Sequence, residues 1–138
     1  MKKNNVVKYT ITGKPVSVNS MYIPHSRKFS KRLTMEAVKY KASVKTQVLS
    51  QKPVLYSGAV EIGYVFYFKD KRRRDSENYL KATTDALQGV LFNDDNQVFV
   101  ALHGKVVNYG SWKLDIFIKE LGETYDVYDI IEGIFKNQ

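Results

Sequence analysis

Acidic side chains cluster in the middle of the sequence, beside a lysine and a run of basic residues. Asp75 and Glu77 are separated by one residue, Lys81 follows four residues after Glu77, and Asp94 and Asp95 form a second acidic pair. Hard cations such as Mg²⁺ bind carboxylate oxygens together with water and phosphate oxygens. A nearby ammonium group can stabilise negative charge on a phosphate. These residue types therefore favour metal-dependent hydrolysis of a phosphodiester.

Each part of this cluster also has an ordinary structural explanation. Glu77 and Lys81 have the spacing of a common surface pair on a helix, and residues 93–96 are typical turn residues. Asp85 could serve the site or form a local hydrogen bond, and both interpretations stay open. The two histidines lie away from the acids in the sequence, which disfavours a histidine-based mechanism. Only the combination of acids and lysine, in this order and spacing, indicates catalysis.

The distribution of charge indicates a polyanionic partner. The chain carries a net charge of +8, yet residues 122–138 hold four acids and one lysine, so the rest of the chain carries +11. Cationic side chains gain affinity for nucleic acid by releasing the counterions that surround its phosphates. The basic residues that we expect to contact DNA are Lys14, Arg27, Lys28, Lys31, Arg32, Lys71, Arg72, Arg73 and Arg74.

The composition limits the class of protein. A length of 138 residues with 43% hydrophobic residues suits one domain with a sizeable core. The absence of cysteine excludes thiolate metal sites and disulfides. The sequence contains no apolar run long enough to cross a membrane, and we expect a cytoplasmic protein without a membrane partner.

Hydrophobic periodicity predicts a single α/β domain. We expect a small mixed β-sheet with the element order β-α-β-α-β-β, packed by helices, and then a C-terminal amphipathic helix. The strands are expected at residues 6–12, 59–68, 98–102 and 112–118, with the last two joined by a hairpin at 108–111. The helices are expected at residues 33–49, 75–88 and 123–137, with a long loop at 16–32. In the second helix the expected buried stripe is Leu80, Thr84, Leu87 and Leu91. If the strands at 59–68 and 98–102 pair, both acid pairs should emerge near each other.

Two stretches resemble the RusA family of Holliday junction resolvases. They are residues 74–89, which read RDSENYLKATTDALQG, and residues 94–98, which read DDNQV. Residues 15–22, which read PVSVNSMY, resemble the opening segment of that family. The resemblance implies a homodimeric, Mg²⁺-dependent endonuclease, often encoded by prophages, with Mn²⁺ as a possible substitute. Such an enzyme resolves four-way DNA junctions in recombination and repair by paired symmetric nicks, using metal-activated water. The chain would then comprise an endonuclease domain of residues 1–121 and an acidic tail of residues 122–138.

The resemblance also implies roles for individual residues. Asp75, Glu77 and Asp95 match the metal-binding acids of the family, Asp94 would assist them, and Lys81 matches the catalytic lysine. The catalytic set is thus Asp75, Glu77, Lys81 and Asp95. The family pattern usually reads Asp-x-Asp-Asn, whereas Glu77 stands here at the second acidic position. A longer arm could impair a Mg²⁺ site, so the alternative hypothesis is a branched-DNA-binding protein that does not cleave. An RNA-binding module is a weaker alternative, because the strands lack the expected aromatic signature.

Overall fold

The computed structural model describes residues 5–24 and 32–136. It confirms the expected order of four strands and two helices followed by a C-terminal helix. The strands are β1 (Val7–Thr12), β2 (Val60–Tyr67), β3 (Val98–Val106) and β4 (Lys113–Glu120), and the helices are α1 (Met35–Leu49), α2 (Leu80–Leu87) and α3 (Val127–Lys136). Short 3-10 helices lie at Val18–Ser20, Ser76–Tyr79 and Asp95–Gln97.

The four strands form one mixed sheet in the order β1-β4-β2-β3. The central strand β2 pairs in parallel with β3 and antiparallel with β4. The predicted hairpin between the last two strands is therefore wrong, because β2 lies between them. Residues 107–112 instead cross the end of β2, where the Asn108 N–H donates to the Asp70 carbonyl and the Tyr109 N–H to the Phe68 carbonyl. Strand β2 alternates buried and half-buried residues along its whole length, as expected of a central strand with one face on the core.

The core lies between one face of the sheet and the helices α1 and α2. Every second residue of β2, from Val60 to Phe66, is buried on this face, and Phe68 directly after the strand is buried as well. The predicted apolar stripe of α1 is confirmed, since Ala37, Tyr40, Val44 and Val48 are its buried residues. Helix α1 begins after Thr34, whose side chain accepts a hydrogen bond from the Ala37 N–H, as expected of a threonine N-cap.

Helix α2 is shorter than predicted and buries a different face. The predicted stripe is wrong in part, because Leu80 and Thr84 are only half-buried, whereas Leu87 and Leu91 are buried. The buried positions within α2 are Ala82, Thr83, Ala86 and Leu87. The helix lies between α1 and β2: the Tyr40 hydroxyl is 2.7 Å from Thr83 Oγ1, and the Tyr64 hydroxyl is 2.9 Å from Thr84 Oγ1. Contact on two sides requires small residues facing the core, and these carry little hydrophobic signal in the sequence.

The two edge strands of the sheet differ in whether their outward backbone groups are hydrogen-bonded. Along β1, the side-chain amides of Gln47 and Gln51 donate to the carbonyls of Thr12 and Thr10 and accept from their N–H groups, with distances of 2.9–3.2 Å. These glutamines occupy the positions that another strand would take. Along the outer edge of β3, no backbone hydrogen bond to another segment occurs within residues 5–24 and 32–136. An unprotected edge of this kind can pair with another chain.

Helix α3 exposes much of its apolar surface. No residue of α3 is buried, and Tyr128 and Phe135 are 71% and 72% exposed. The segment before the helix contacts the start of β3, where the Tyr125 ring lies edge-on to Phe99 with ring centres 5.3 Å apart. None of the helices in the described part of the chain is long and apolar enough to span a membrane.

Candidate active site and nucleic-acid interface

The segment that leaves β2 is braced by Arg74. Its guanidinium carbon lies 4.8 Å from the centre of the Trp112 ring and 5.5 Å from that of Phe68. Nη1 of Arg74 also donates a 2.6 Å hydrogen bond to Asp70, and this bond is the main cause of a lowered Asp70 pKa. The Arg74 side chain is only 9% exposed. Its guanidinium is thus engaged within the protein, which leaves it less available to DNA than a solvated arginine.

Three of the four candidate acids have carboxylates without a partner among the residues that the structure describes. Asp75 precedes the 3-10 helix Ser76–Tyr79, but its side chain makes no capping bond. Within the described residues, the carboxylates of Asp75, Glu77 and Asp95 form no hydrogen bond or ion pair. Asp94 differs, because its Oδ1 accepts a 3.0 Å hydrogen bond from the Asn96 N–H. Asp94 therefore shapes the turn before β3, while the other three acids offer oxygen atoms to a ligand.

The candidate catalytic lysine is paired along its own helix. Lys81 Nζ lies 3.5 Å from Asp85 Oδ2, one turn further along α2. The Lys81 side chain is 51% exposed and that of Asp85 is 23% exposed. Asp85 thus orients the ammonium group and leaves part of it accessible to a phosphate.

The two acid pairs lie on different segments of the chain. Across residues 5–24 and 32–136, no three Asp, Glu or His side chains form a group that could hold a metal ion. Strand β3 does pair with β2, as the expectation required, but the pairing is parallel. Asp75 and Glu77 follow the end of β2, whereas Asp94 and Asp95 precede the start of β3. The segment that carries Asp75 and Glu77 returns along β3, where Ser76 Oγ lies 2.7 Å from Nδ1 of His103 near the middle of the strand.

A basic cleft of about 580 Å³ opens beside Asp75. It joins four separate parts of the chain: the segment after β1, the start of α1, the segment after β2, and β3. Its lining residues are Lys14, Pro15, Ser17, Asn19, Ser20, Glu36, Arg72, Arg73, Arg74, Asp75, Asn78, Tyr79 and Lys105. Five basic side chains face two acids here, so the cleft favours an anionic ligand.

The structure gathers part of the predicted DNA-binding set into this cleft. Lys14 and residues 72–74 line it, whereas Lys71 and Arg32 are exposed outside it. The predictions for Arg27, Lys28 and Lys31 lie outside the described residues.

Several cleft residues were missed at the level of sequence. The strand prediction ended at residue 102, and β3 continues to Val106, so Lys105 was not recognised as part of the site. Its Nζ donates a 2.7 Å hydrogen bond to the Arg74 carbonyl. Ser17 and Asn19 lie in the predicted long loop and in a stretch that resembles the family's opening segment, but neither residue has a predicted role, and Asn78 stands in the motif without one. A period-two pattern extended through His103 and Lys105 would have revealed the lysine.

A basic cleft lined by Asp75, whose carboxylate has no partner among the described residues, is typical of enzymes that cleave nucleic acid. The family model described as Endodeoxyribonuclease RusA matches residues 12–119, and the chain therefore belongs to the RusA family. No curated protein is significantly similar to the chain. The protein is thus an endodeoxyribonuclease and a phosphodiester hydrolase, and its family implies action on Holliday junctions. Resolvases of this family generally depend on a divalent metal.

Proposed function

We propose that the protein resolves four-way DNA junctions by paired, symmetric, Mg²⁺-dependent nicks and acts as a homodimer. The observation that carries this proposal is the basic cleft bordered by Asp75. A cleft with five cationic side chains suits a phosphate backbone. A carboxylate at its border is the group that the hydrolysis of that backbone requires.

The candidate donors fit a hard cation. Asp75, Glu77 and Asp95 offer only carboxylate oxygens, and the chain has no cysteine that would favour a softer metal. We propose that Asp75 and Glu77 hold Mg²⁺ with Asp95 in support, and that Asp94 acts indirectly by shaping the turn. When bound, Mg²⁺ supplies positive charge at the phosphate and lowers the pKa of coordinated water. Mg²⁺ commonly uses one or two carboxylates with water and substrate phosphate, so two adjacent acids are a sufficient protein contribution.

The basic residues divide into two roles. We propose that Lys14, Arg72 and Arg73 hold DNA phosphates in the cleft, while Arg74 braces the segment that carries Asp75. Lys81, oriented by Asp85, would stabilise the charge that develops on the reacting phosphate. Lys71 and Arg32 would contact DNA arms outside the cleft.

The homodimer is supported by the edges of the sheet. Gln47 and Gln51 block the edge of β1, whereas β3 presents an open edge. Two copies of β3 can pair around a two-fold axis and present two active sites, as symmetric nicking of two strands requires. The cytoplasmic location, and the division into an endonuclease domain of residues 1–121 and a tail of residues 122–138, stay predictions.

The decisive experiment is nicking of a labelled four-way junction and of linear duplex, with and without Mg²⁺. The variants are Asp75→Asn, Asp95→Asn and, as a matched control, Asp129→Asn on the exposed side of α3. We expect the wild type to nick the junction in pairs only with Mg²⁺. Loss of a ligand removes several kcal/mol of transition-state stabilisation, so Asp75→Asn should lower the rate by at least about 100-fold.

The outcomes separate the parts of the proposal. Retained activity in Asp75→Asn would show that the carboxylate at the cleft is not catalytic. Retained activity in Asp95→Asn alone would remove Asp95 from the site and leave Asp75 and Glu77. A wild type that nicks duplex as well as junction would contradict selectivity for branched DNA.

A second candidate function is binding of branched DNA without cleavage. Two observations favour it: the glutamate at position 77, and the absence of a three-acid group within the described residues. On this hypothesis the wild type binds the junction but leaves it intact in Mg²⁺ and Mn²⁺. Glu77→Asp should then restore nicking by shortening the arm, and a variant that stays inactive would exclude Glu77 as the sole defect.

A further inference from the structure

Strand β3 holds the acid-bearing segment through two side chains. Lys105 Nζ donates a 2.7 Å hydrogen bond to the Arg74 carbonyl. His103 Nδ1 lies 2.7 Å from Ser76 Oγ, with the donor set by the tautomer of the ring. Asp75 lies between the two attached residues, so both sides of this candidate metal ligand are fastened to the sheet.

The two contacts have the same two-residue spacing on β3 and on the acid-bearing segment. His103 and Lys105 are two residues apart on β3 and therefore point to the same face, where their β2 neighbours are Tyr64 and Phe66. Residues two apart on a strand are separated by roughly 6.6 Å. Arg74 and Ser76 are likewise two residues apart, and each meets one of the β3 side chains.

The side chain of Ser76 takes part in this attachment. It is the buried residue of the 3-10 helix Ser76–Tyr79, with 9% exposure, and its hydroxyl faces His103. The neighbouring carboxylates of Asp75 and Glu77 are exposed. The side chain between the two acids is thus turned into the protein while the acids face outwards.

We propose that His103 and Lys105 are positioning residues that fix the Asp75–Glu77 carboxylates for metal binding. This inference rests on the proposed metal site, and it assigns a role to residues outside the predicted site. Residues that orient ligands typically change metal affinity or activity by 10–100-fold when removed. Fixing the segment before the metal arrives lowers the entropic cost of binding.

The test uses six variants. His103→Phe removes Nδ1 but keeps a ring, and His103→Asn retains a polar atom near the position of Nδ1. Ser76→Ala removes the other partner of this contact. The double variant of His103→Phe with Ser76→Ala completes a double-mutant cycle. Lys105→Met is tested in parallel against Lys8→Met, which removes the same charge from an exposed position of β1.

Two measurements report on the contact without relying on nicking. The first is hydrogen exchange of the Asn78 N–H, measured in the protein without metal. This N–H donates a 3.1 Å hydrogen bond to the Asp75 carbonyl. The second is titration of the protein with Mn²⁺, followed by electron paramagnetic resonance. The Mg²⁺ concentration for half-maximal nicking is then compared with junction affinity in the absence of metal.

We expect His103→Phe to accelerate exchange of the Asn78 N–H and to weaken Mn²⁺ binding about 10-fold. The Mg²⁺ concentration for half-maximal nicking should rise by a similar factor. The affinity for the junction, measured without metal, should stay unchanged. His103→Asn should restore most of the loss, and the double variant should be no worse than either single variant. Lys105→Met should also weaken Mn²⁺ binding, and Lys8→Met should not.

The inference is overturned if exchange at Asn78 and Mn²⁺ affinity in His103→Phe equal those of the wild type. Additive losses in the double variant would equally show that His103 does not act through Ser76. If the wild type binds no Mn²⁺ and does not nick, the proposed function fails. In that case unchanged exchange at Asn78 overturns the attachment by β3 as well, whereas faster exchange retains the attachment without a metal role.

Discussion

Adjacent residues of the basic run have different structural roles. Arg73 is exposed and lines the cleft, whereas the Arg74 side chain packs on Trp112 and Phe68 and pairs with Asp70. An arginine that stacks on aromatic rings contributes packing as well as charge. The two residues are identical in type and neighbouring in sequence, so their difference arises entirely from the fold.

This contrast leads to a paired prediction. Arg74→Ala should lower the free energy of unfolding by about 1–2 kcal/mol, because it removes a stacked cation and leaves Asp70 without its main partner. Arg73→Ala should change stability by less than about 0.5 kcal/mol. It should instead weaken junction binding and reduce the slope of log affinity against log salt by about 1. Urea denaturation and salt-dependent binding assays measure the two effects.

The paired prediction has a clear opposing result. If Arg74→Ala leaves the free energy of unfolding unchanged and Arg73→Ala lowers it, then Arg73 is the bracing residue and Arg74 is not. Loss of DNA binding in Arg74→Ala counts against its bracing role only if the variant is fully folded under the assay conditions.

The residue types of the site could be predicted from the sequence, but their division of labour could not. Carboxylates beside a lysine and a basic run indicate the chemistry whatever the fold. The distinction between Asp94, which accepts a bond from the Asn96 N–H, and Asp95, which has no protein partner in the described residues, depends on local backbone geometry. Likewise Lys81 had two possible acidic partners at four-residue spacing, Glu77 and Asp85, and only the structure selects Asp85.

At the scale of elements, buried hydroxyls attach α2 to its neighbours. Burial raises the pKa of Tyr40 and that of Tyr64 to about 12, although hydrogen bonds to Thr83 and Thr84 act in the opposite direction. Tyr40 thereby joins α1 to α2, and Tyr64 joins β2 to α2. Because α2 carries Lys81, these two contacts also locate the candidate catalytic lysine.

We expect Tyr40→Phe to lower the free energy of unfolding by about 1 kcal/mol at neutral pH, since one buried hydrogen bond is lost. The difference should shrink and then reverse in alkaline solution. In the wild type the unfolded phenol ionises near its ordinary pKa of 10.0, while the folded phenol stays neutral up to about pH 12. Stability from neutral Tyr40 is therefore complete below pH 10 and lost as the pH rises towards 12.

Urea denaturation at pH 7 and between pH 10 and 11.5 measures this difference. Tyr128→Phe is the matched control, because Tyr128 is 71% exposed and its removal should not alter the pH dependence. Equal stabilities of wild type and Tyr40→Phe across the whole range would show that the contact with Thr83 contributes nothing.

The elements were predicted better than their arrangement. Helix α1 and strand β2 have strong periodic patterns, and both were located to within two residues of their observed starts. The predicted hairpin between β3 and β4 is wrong, because a turn-like sequence at residues 108–111 is compatible with a hairpin and with a crossover. The choice depends on the long-range contact of both β3 and β4 with β2, which no local pattern encodes.

At the scale of the whole molecule, the open edge of β3 is the surface through which we propose that two copies pair. The Val106 carbonyl accepts from the Phe68 N–H, so residues 102, 104 and 106 direct their backbone groups towards β2. By alternation, the backbone groups of residues 101, 103 and 105 point outwards. Leu102 and Val106 are about 40% exposed on the open face of the sheet, and a second β3 would cover them.

The final prediction tests whether this edge forms the homodimer. Ala101→Pro removes an outward N–H and should abolish pairing of two β3 strands while leaving the bonds to β2 intact. We expect light scattering to show a mass of twice 15.9 kDa for the wild type and 15.9 kDa for Ala101→Pro. The monomeric variant should lose paired nicking, because each monomer carries one active site. Lys8→Pro, at an outward position of β1, should keep the dimeric mass. A dimer that persists in a folded Ala101→Pro variant would exclude the β3 edge as the interface. The exposed face of α3 would then be the next candidate interface, because Tyr128 and Phe135 on it are not covered by any of the described residues.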